Sequence, residues 1–356
     1  MDITGGTMAD LRSLSIEQLN SVVSELGEKS YRAGQIYDWI HNKGADSLDL
    51  MTNLPKSLKE ALKQNYMIFT LKKVDCRISQ IDGTRKYLFE LYDGNIIESV
   101  LLRYDYGNTV CISSQVGCRM GCRFCASTLD GLERNLTAGE MLGQIYEISK
   151  DIGERIGHVV IMGSGEPLDN YDNLINFIRI VSSQEGINLS TRNITVSTCG
   201  LVPKMYELAD ANLPITLAVS LHAVSDEKRR AIMPIAKTYS LDEIFAACKN
   251  YFEKTGRRVT CEYSLIAGEN DTAEDANGLI GIAKELGCHI NLIPVNPIKE
   301  RNYRQSAAKD VLAFKNKLEK NHINVTIRRE MGRDIEGACG QLRRSFQKAK
   351  KGDTSC

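Results

Sequence analysis

The sequence predicts an α/β fold in which a parallel sheet carries the chemistry, preceded by a small helical unit and a short β-meander. Three observations predict it. Six apolar, β-branched runs, at 109–112, 158–162, 193–197, 215–221, 259–265 and 290–295, alternate with helical stretches, the pattern of β–α units on a parallel sheet. The first 70 residues show helical periodicity only. Between the two parts, Asp82-Gly83 and Asp93-Gly94 punctuate a strand-rich segment as hairpin turns do. At 356 residues the chain is long enough for one large domain and a small one.

Taken in order, residues 1–8 carry no periodicity and are expected to be disordered. Ser15 and Gln18 then form a capping-box pair ahead of apolar Leu19, Val22, Val23 and Leu26, and Gly27 ends the helix. Ala33, Ile36, Trp39 and Ile40 mark a second helix, and residues 58–62 after Pro55 a third. Residues 9–73 thus read as a helical accessory domain, either a packing module or a unit that grips a partner. Residues 74–104 read as a three-stranded meander linking it to the rest. Glu98 sits on the third strand among Ile96, Ile97, Val100 and Leu101, where an alternating strand ordinarily exposes a carboxylate. The core spans 105–300: Thr137 and Glu140 cap a helix running to about 149, and Leu174, Ile175, Phe177 and Ile178 mark another. The extension 301–356 begins with a helix (about 306–320) and a strand (325–327).

The densest motif is Cys118-x3-Cys122-x2-Cys125, with Phe124 before the last cysteine. Three closely spaced thiols suit an iron–sulfur cluster that normally takes four thiolates, which leaves one iron open for chemistry. A zinc site prefers four protein ligands, and neither a nearby histidine nor a second Cys-x2-Cys follows. Unrelated buried thiols are the remaining reading. Further candidates fall at the ends of successive strands, where α/β proteins place their sites. Gly163-Ser164-Gly165-Glu166-Pro167 follows the second strand and combines close backbone approach with a carboxylate. Ser197 closes the third strand, Ser220-Leu221-His222 the fourth and Asn296 the sixth. Each alone is an ordinary turn or a structural histidine; their order is the signal. Cys339 lies between small residues in Gly337-Ala338-Cys339-Gly340, a buried thiol in a glycine-rich turn or an approachable one.

Composition narrows the class. Forty-five basic residues balance 45 acidic ones, so net charge does not announce a nucleic-acid partner. The pairs Arg229-Arg230, Arg257-Arg258, Arg328-Arg329 and Arg343-Arg344 read as solvated faces or phosphate clamps. Eleven cysteines in a chain of this length do not form a secreted disulfide framework. No apolar run approaches the ~20 residues of a membrane span. A cytoplasmic protein in a reducing compartment, with no membrane partner, is the expectation.

The cysteine motif with its preceding aromatic resembles the radical S-adenosylmethionine (SAM) superfamily. The stretch from Gln115 to Thr137 is similar to the RNA adenine methyltransferases of the RlmN/Cfr family within it, and the resemblance spans residues 10–350. It implies a partial (βα)6 barrel and a [4Fe–4S] cluster on Cys118, Cys122 and Cys125. It further implies SAM contacts at Gly165, Glu166, Ser197, Ser220, Leu221, His222 and Asn296, with two SAM molecules used per turnover. Cys339 matches the methyl-carrying cysteine, Cys111 its disulfide partner, and Glu98 a proton acceptor near the substrate. The implied reaction methylates C2 of an adenine in the peptidyl-transferase region of 23S rRNA and of the adenine beside the tRNA anticodon. A flavodoxin-type electron donor, a monomer and an RNA-gripping N-terminal domain complete the expectation. Methylation at C8 of the same rRNA adenine uses the same motifs and is the near alternative. A non-catalytic RNA-binding iron–sulfur protein and a small-molecule radical SAM enzyme are the distant ones. Cys199 departs from the serine expected there, and it, Cys76, Cys248, Cys261, Cys288 and Cys356 receive no role.

Overall fold

The computed structural model of the chain describes residues 8–298 and 300–335. The expectations for the first seven residues, for Cys339 and for Arg343-Arg344 lie outside that range.

The N-terminal helices form where their caps and stripes place them. Helix α1 (Ile16–Glu25) opens on Ser15 with both halves of the capping box made, and it buries Leu19, Val22 and Val23. Helix α2 (Tyr31–His41) buries Ala33, Ile36 and Ile40, and α3 (Lys56–Asn65) buries Leu58 and Leu62. Two short parallel strands, β1 (Ala9–Asp10) and β2 (Tyr66–Met67), tie the two ends of this unit together. Its apolar side chains merge with those of the sheet and its helices into one continuous core. A buried polar latch fixes the junction. Asp10 accepts the backbone N–H groups of Arg12 and Phe69, both at 3.1 Å, and Ser13 Oγ accepts that of Gly139 at 2.8 Å. A Cβ on Gly139 would lie 2.0 Å from Asp10 Oδ2, so only glycine admits this approach. Arg12 lies fully buried over the Tyr146 ring, 5.4 Å from its centroid.

The meander forms β3 (Lys72–Ile78), β4 (Arg85–Glu90) and β5 (Ile96–Tyr104), with Gly83 and Gly94 at positive φ in its turns. It is more than a bridge. β5 pairs antiparallel with β6 (Gly107–Cys111), and β6 pairs parallel with β9 (His158–Ile161). Between β6 and β9, a small hairpin of β7 (Gln115–Gly117) and β8 (Leu132–Asn135) precedes helix α4 (Ala138–Ile152), whose Thr137–Glu140 capping box is complete.

The sheet then continues through β10 (Ile194–Thr198), β11 (Thr216–Ser220), β12 (Thr260–Leu265), β13 (His289–Pro294) and β14 (Val325–Ile327), all parallel. Helices α5 (Tyr171–Ser182), α6 (Val202–Asp210), α7 (Asp226–Ile232), α8 (Leu241–Thr255), α9 (Ala273–Leu286) and α10 (Ala308–Lys320) lie between them. The ten strands run in the order β14-β13-β12-β11-β10-β9-β6-β5-β4-β3, so β14 and β3 are edges and the sheet stays open. The six expected parallel strands are β6 and β9 to β13, and β14 adds a seventh. In β9, β10 and β13 fully buried residues alternate with half-buried ones, so one face of the sheet packs in the core and the other is only partly covered. Among the described residues no helix is long and apolar enough to cross a membrane.

Candidate active site

Residues 118–131 hang between β7 and β8, and backbone bonds fix their shape. Gly117 takes φ +81°, and a Cβ there would stand 2.0 Å from Gly131 O. That approach lets Cys118 N–H donate to Gly131 O at 2.8 Å. Thr128 Oγ1 donates to the carbonyls of Cys122 (3.1 Å) and Cys125 (2.9 Å), and Arg123 N–H donates to Ile232 O (2.9 Å). Arg119 pairs with Asp169 at the rim. Cys118, Cys122 and Cys125 then share one cleft of about 200 Å³ with the ends of β9, β10, β11 and β12.

The donor set fits a metal cluster. Burial pushes the Cys118 thiol up to about 12 and raises Cys122 further, and each thiolate repels the others. Three such groups ionise together only beside a strong cation, which deprotonates coordinating thiols outright. Among the described residues no three His, Cys, Asp or Glu side chains converge tightly enough for a single ion. A structural zinc site takes four protein ligands on one ion, and the cleft brings together three cysteines. A cubane spreads its thiolates over different irons.

Opposite the loop, Gly163 and Gly165 follow β9. A Cβ on Gly163 would meet Ile112 O at 2.7 Å, and one on Gly165, at φ +112°, would meet Gln115 Cβ and Ser114 Oγ at 2.7 Å. Both glycines press the turn onto the β6–β7 connection. Glu166 is thereby buried at the cleft wall, accepting N–H groups from Cys199 (2.7 Å) and Leu168 (3.1 Å). Burial raises its pKa, and those bonds pull it back. Cys199 thus contributes its backbone amide, while burial pushes its thiol far up. Ser197 and Ser220 line the same cleft from β10 and β11.

His222 closes the fourth strand end with φ +57°. Its Nδ1 accepts the Ser264 N–H at 2.9 Å, which leaves the ring proton on Nε2. Burial, with help from Arg229, drives its pKa down to about 3, so the ring is neutral. It meets Phe124 edge to face at 4.8 Å, which ties the aromatic of the cysteine motif to the fourth strand. Leu221 instead points into the main core, and its carbonyl accepts from Arg229 Nε at 3.2 Å.

A second cleft, of about 130 Å³, opens beside the first and shares Ile293 and Arg328 with it. Cys111, at the end of β6, lines it together with Val100, Leu102 and Tyr104 of β5. Asn296 lies here too, apart from the other expected SAM contacts. Glu98 is buried, and its carboxylate sits 3.3 Å from Lys86 Nζ. Strand alternation puts it on the same face as Val100 and Leu102, so the structure turns Glu98 inward where alternation alone suggested solvent.

The arginine pairs divide. Arg229 is completely buried and holds the ends of β10 and β11 together, donating to Cys199 O (2.7 Å) and Ser220 O (3.2 Å). It is neither a solvated face nor a phosphate clamp. Arg257 donates to Thr216 Oγ1 at 3.0 Å, while Arg328 and Arg329 line the second cleft. Sequence reasoning missed Glu262, buried in the first cleft and accepting from Asn291 Nδ2 at 2.9 Å. Its signal was a lone carboxylate within the apolar run of β12.

Comparison with known proteins agrees with this geometry. The Radical SAM superfamily model matches residues 112–279, and that for the ribosomal RNA large subunit methyltransferase N-terminal domain matches residues 9–68. A Lachnospira eligens protein named "Probable dual-specificity RNA methyltransferase RlmN" is 60% identical over 339 residues, 95% of this chain and 97% of its own. A Clostridium perfringens protein of the same name is 53% identical over 343 residues, 96% of this chain and 99% of its own. The crystal structure of a radical SAM methyltransferase from Sphaerobacter thermophilus, 41% identical, superposes with a TM-score of 0.88 over 94% of this chain and 99% of that one. With this coverage from end to end, the chain belongs to the RlmN family and is a radical SAM RNA methyltransferase.

Proposed function

We propose that this enzyme methylates C2 of adenine in two RNAs, at the peptidyl-transferase region of 23S rRNA and beside the tRNA anticodon. The observation that carries the reading is the pair of joined clefts: three cluster-type cysteines in one, Cys111 in the other, with Ile293 and Arg328 common to both. Cys118, Cys122 and Cys125 would hold a [4Fe–4S] cluster, with SAM held by Gly165, Glu166, Ser197, Ser220, His222 and the backbone at Leu221. When bound, the cluster and SAM supply the one-electron chemistry that an electron-poor aromatic carbon requires.

The remaining work falls to the chain's own residues. Glu166 would accept the SAM ammonium on a carboxylate already oriented by two backbone amides, and Asn296 would reach a ribose or carboxylate from the neighbouring cleft. Cys339 would carry the transferred carbon as a thioether, one SAM serving to load it and a second to activate it. Once that carbon is joined to C2 and the adduct has returned one electron to the cofactor side, Glu98 would take up the C2 proton with assistance from Cys111. The Cys111 thiolate would then attack the Cys339 sulfur; the electron pair of the sulfur–carbon bond would pass to the exocyclic carbon, which takes a proton to become the methyl group, and the base would leave as a Cys111–Cys339 disulfide forms. Two electrons from an external donor of flavodoxin type would restore the thiols. The target adenine would reach the cleft extruded from its stack. We take the enzyme to act as a cytoplasmic monomer.

The test is anaerobic reconstitution with SAM, a reductant and a 23S rRNA fragment or tRNA, followed by nucleoside mass spectrometry. The expected product is 2-methyladenosine, absent with Cys339→Ala. With Cys111→Ala a covalent protein–RNA adduct should accumulate. An 8-methyladenosine product would overturn the C2 assignment, and product formation by Cys339→Ala would overturn the methyl-carrier role.

A further inference from the structure

The cleft beside Cys111 continues outward into an aromatic stack that the proposed chemistry does not use. β5 and β6 are joined by the two-residue turn Asp105-Tyr106, with Tyr104 and Gly107 paired at its base. The positive φ this turn needs falls on Gly107 at +125°, so position 106 is free to carry a large side chain, and Tyr106 is 64% exposed. Its ring is nonetheless held in place. It stacks on Tyr104 with centroids 4.9 Å apart and planes 12° off parallel, and it meets His158 edge to face at 4.9 Å. Tyr104 is itself a wall of the Cys111 cleft. Arg328, Arg329 and Glu330 line the same cleft, so the charge there is one net positive. A staircase of π surface therefore runs from the cleft to solvent with cations beside it.

That combination is how proteins hold unpaired nucleotides: aromatic faces stack on bases and cations track the backbone. An enzyme that draws one base out of its stack also uncovers the face of the next. A third ring laid on Tyr106 would continue the stack that Tyr104 begins at the cleft wall.

We infer that Tyr106 is a stacking platform for the nucleotide adjoining the adenine that enters the Cys111 cleft, with Arg329 facing the intervening phosphate. The inference rests on the RNA-substrate reading above and adds to it a specific contact with the flanking base.

The test uses a 23S rRNA hairpin carrying 2-aminopurine next to the target adenine, titrated with the full chain, Tyr106→Ala, Tyr106→Phe and Arg329→Gln. Thermal unfolding of each variant checks the fold. Wild type and Tyr106→Phe should quench the fluorescence on binding. Tyr106→Ala should bind roughly ten-fold more weakly and leave the probe bright. Arg329→Gln should reduce the slope of log affinity against log salt by about one. Wild-type quenching and affinity in Tyr106→Ala would overturn the platform while leaving the RNA reading in place. Equal loss in Tyr106→Phe would assign the effect to the hydroxyl and overturn stacking. An unchanged salt slope in Arg329→Gln would remove the phosphate contact. Failure of the wild type to bind the hairpin, or tRNA in competition, would overturn the RNA reading and the platform together.

Discussion

Gly117→Ala should leave the three-cysteine loop without iron, and Gly94→Ala should not. Both glycines have φ +81°, so both alanines incur the left-handed backbone penalty of ~1–2 kcal/mol. They differ in the space around them. At Gly94 an added Cβ meets nothing within 4 Å; at Gly117 it would stand 2.0 Å from Gly131 O. Restoring ordinary van der Waals contact requires β7 and the end of the loop to part by roughly 1 Å or more. That breaks the 2.8 Å bond from Cys118 N–H to Gly131 O, and an unpaired buried amide costs ~1–3 kcal/mol more. The local loss is therefore about 2–5 kcal/mol at Gly117 against about 1–2 kcal/mol at Gly94. It falls on the residue beside Cys118, the first of the three proposed cluster ligands. Iron and sulfide per chain after anaerobic reconstitution, with urea midpoints of the unloaded proteins, read both quantities. Equal iron content in the two variants would refute the argument that this contact sets the loop.

Three further outcomes follow from the buried polar groups. Asp10 has its pKa raised to about 6 by burial, and His41 has its own lowered to about 3 by burial and Arg12. As pH falls from 7 to 5, the stability due to neutral His41, complete above its unfolded value near 6.5, declines by about 2 kcal/mol. Asp10 acts oppositely, regaining about 1.4 kcal/mol as it protonates below 6, so Asp10→Asn should lose stability more steeply than wild type in urea titrations at the two pH values. His222→Ala orphans the Ser264 N–H; it should lower stability by about 1–3 kcal/mol, and His222→Asn, which tolerates the φ of +57° and keeps a polar side chain, by less. Glu166→Gln can accept only one of the two amides from Cys199 and Leu168 and no longer offers a charge to an ammonium; it should keep its iron and weaken SAM binding at least ten-fold by calorimetry.

Much of this molecule is legible because its signals are local. Ser15 with Gln18 and Thr137 with Glu140 announce helix starts that the backbone makes as written. Asp82-Gly83 and Asp93-Gly94 place the meander turns, and the apolar, β-branched runs mark the parallel strands. The cysteine spacing is local as well, so Cys118, Cys122 and Cys125 arrive in one cleft. What escaped are charges whose partners come from elsewhere in the chain. Arg229 reads as half of a surface pair, yet its guanidinium binds carbonyls 30 and nine residues away. Glu262 lies in an apolar run, and its partner Asn291 comes from the next strand over. Glu98 reads as a solvent-facing carboxylate until Lys86 is brought across from β4.

The same distinction explains why the chain spends a β-meander on an enzyme whose proposed cofactor residues lie in the β7–β8 loop and around the ends of the parallel strands. Cys111 and Cys118 are seven positions apart, yet they line different clefts. β6 ends at Cys111, and the chain then passes through Ser113 and Ser114 before the hairpin carries the cluster loop. Ser113 and Ser114 are pinned there by Gln144, whose side chain bridges the Ser113 backbone and Ser99 of β5, and by Asn170 on the Ser114 carbonyl. Beside Cys111 the cleft is lined by Val100, Leu102 and Tyr104, all on β5. Because β5 pairs with β6 in register, Val100 against Cys111, the meander supplies part of the floor of the second cleft and sets the position of the Tyr104–Tyr106 stack at its mouth. If the first cleft is the cofactor side, the meander is the part of the fold that builds the substrate side. Substitutions on the inward face of β5, such as Leu102→Ala, should then raise the KM for RNA while leaving SAM affinity unchanged. The opposite split in kinetic titrations would place the substrate elsewhere.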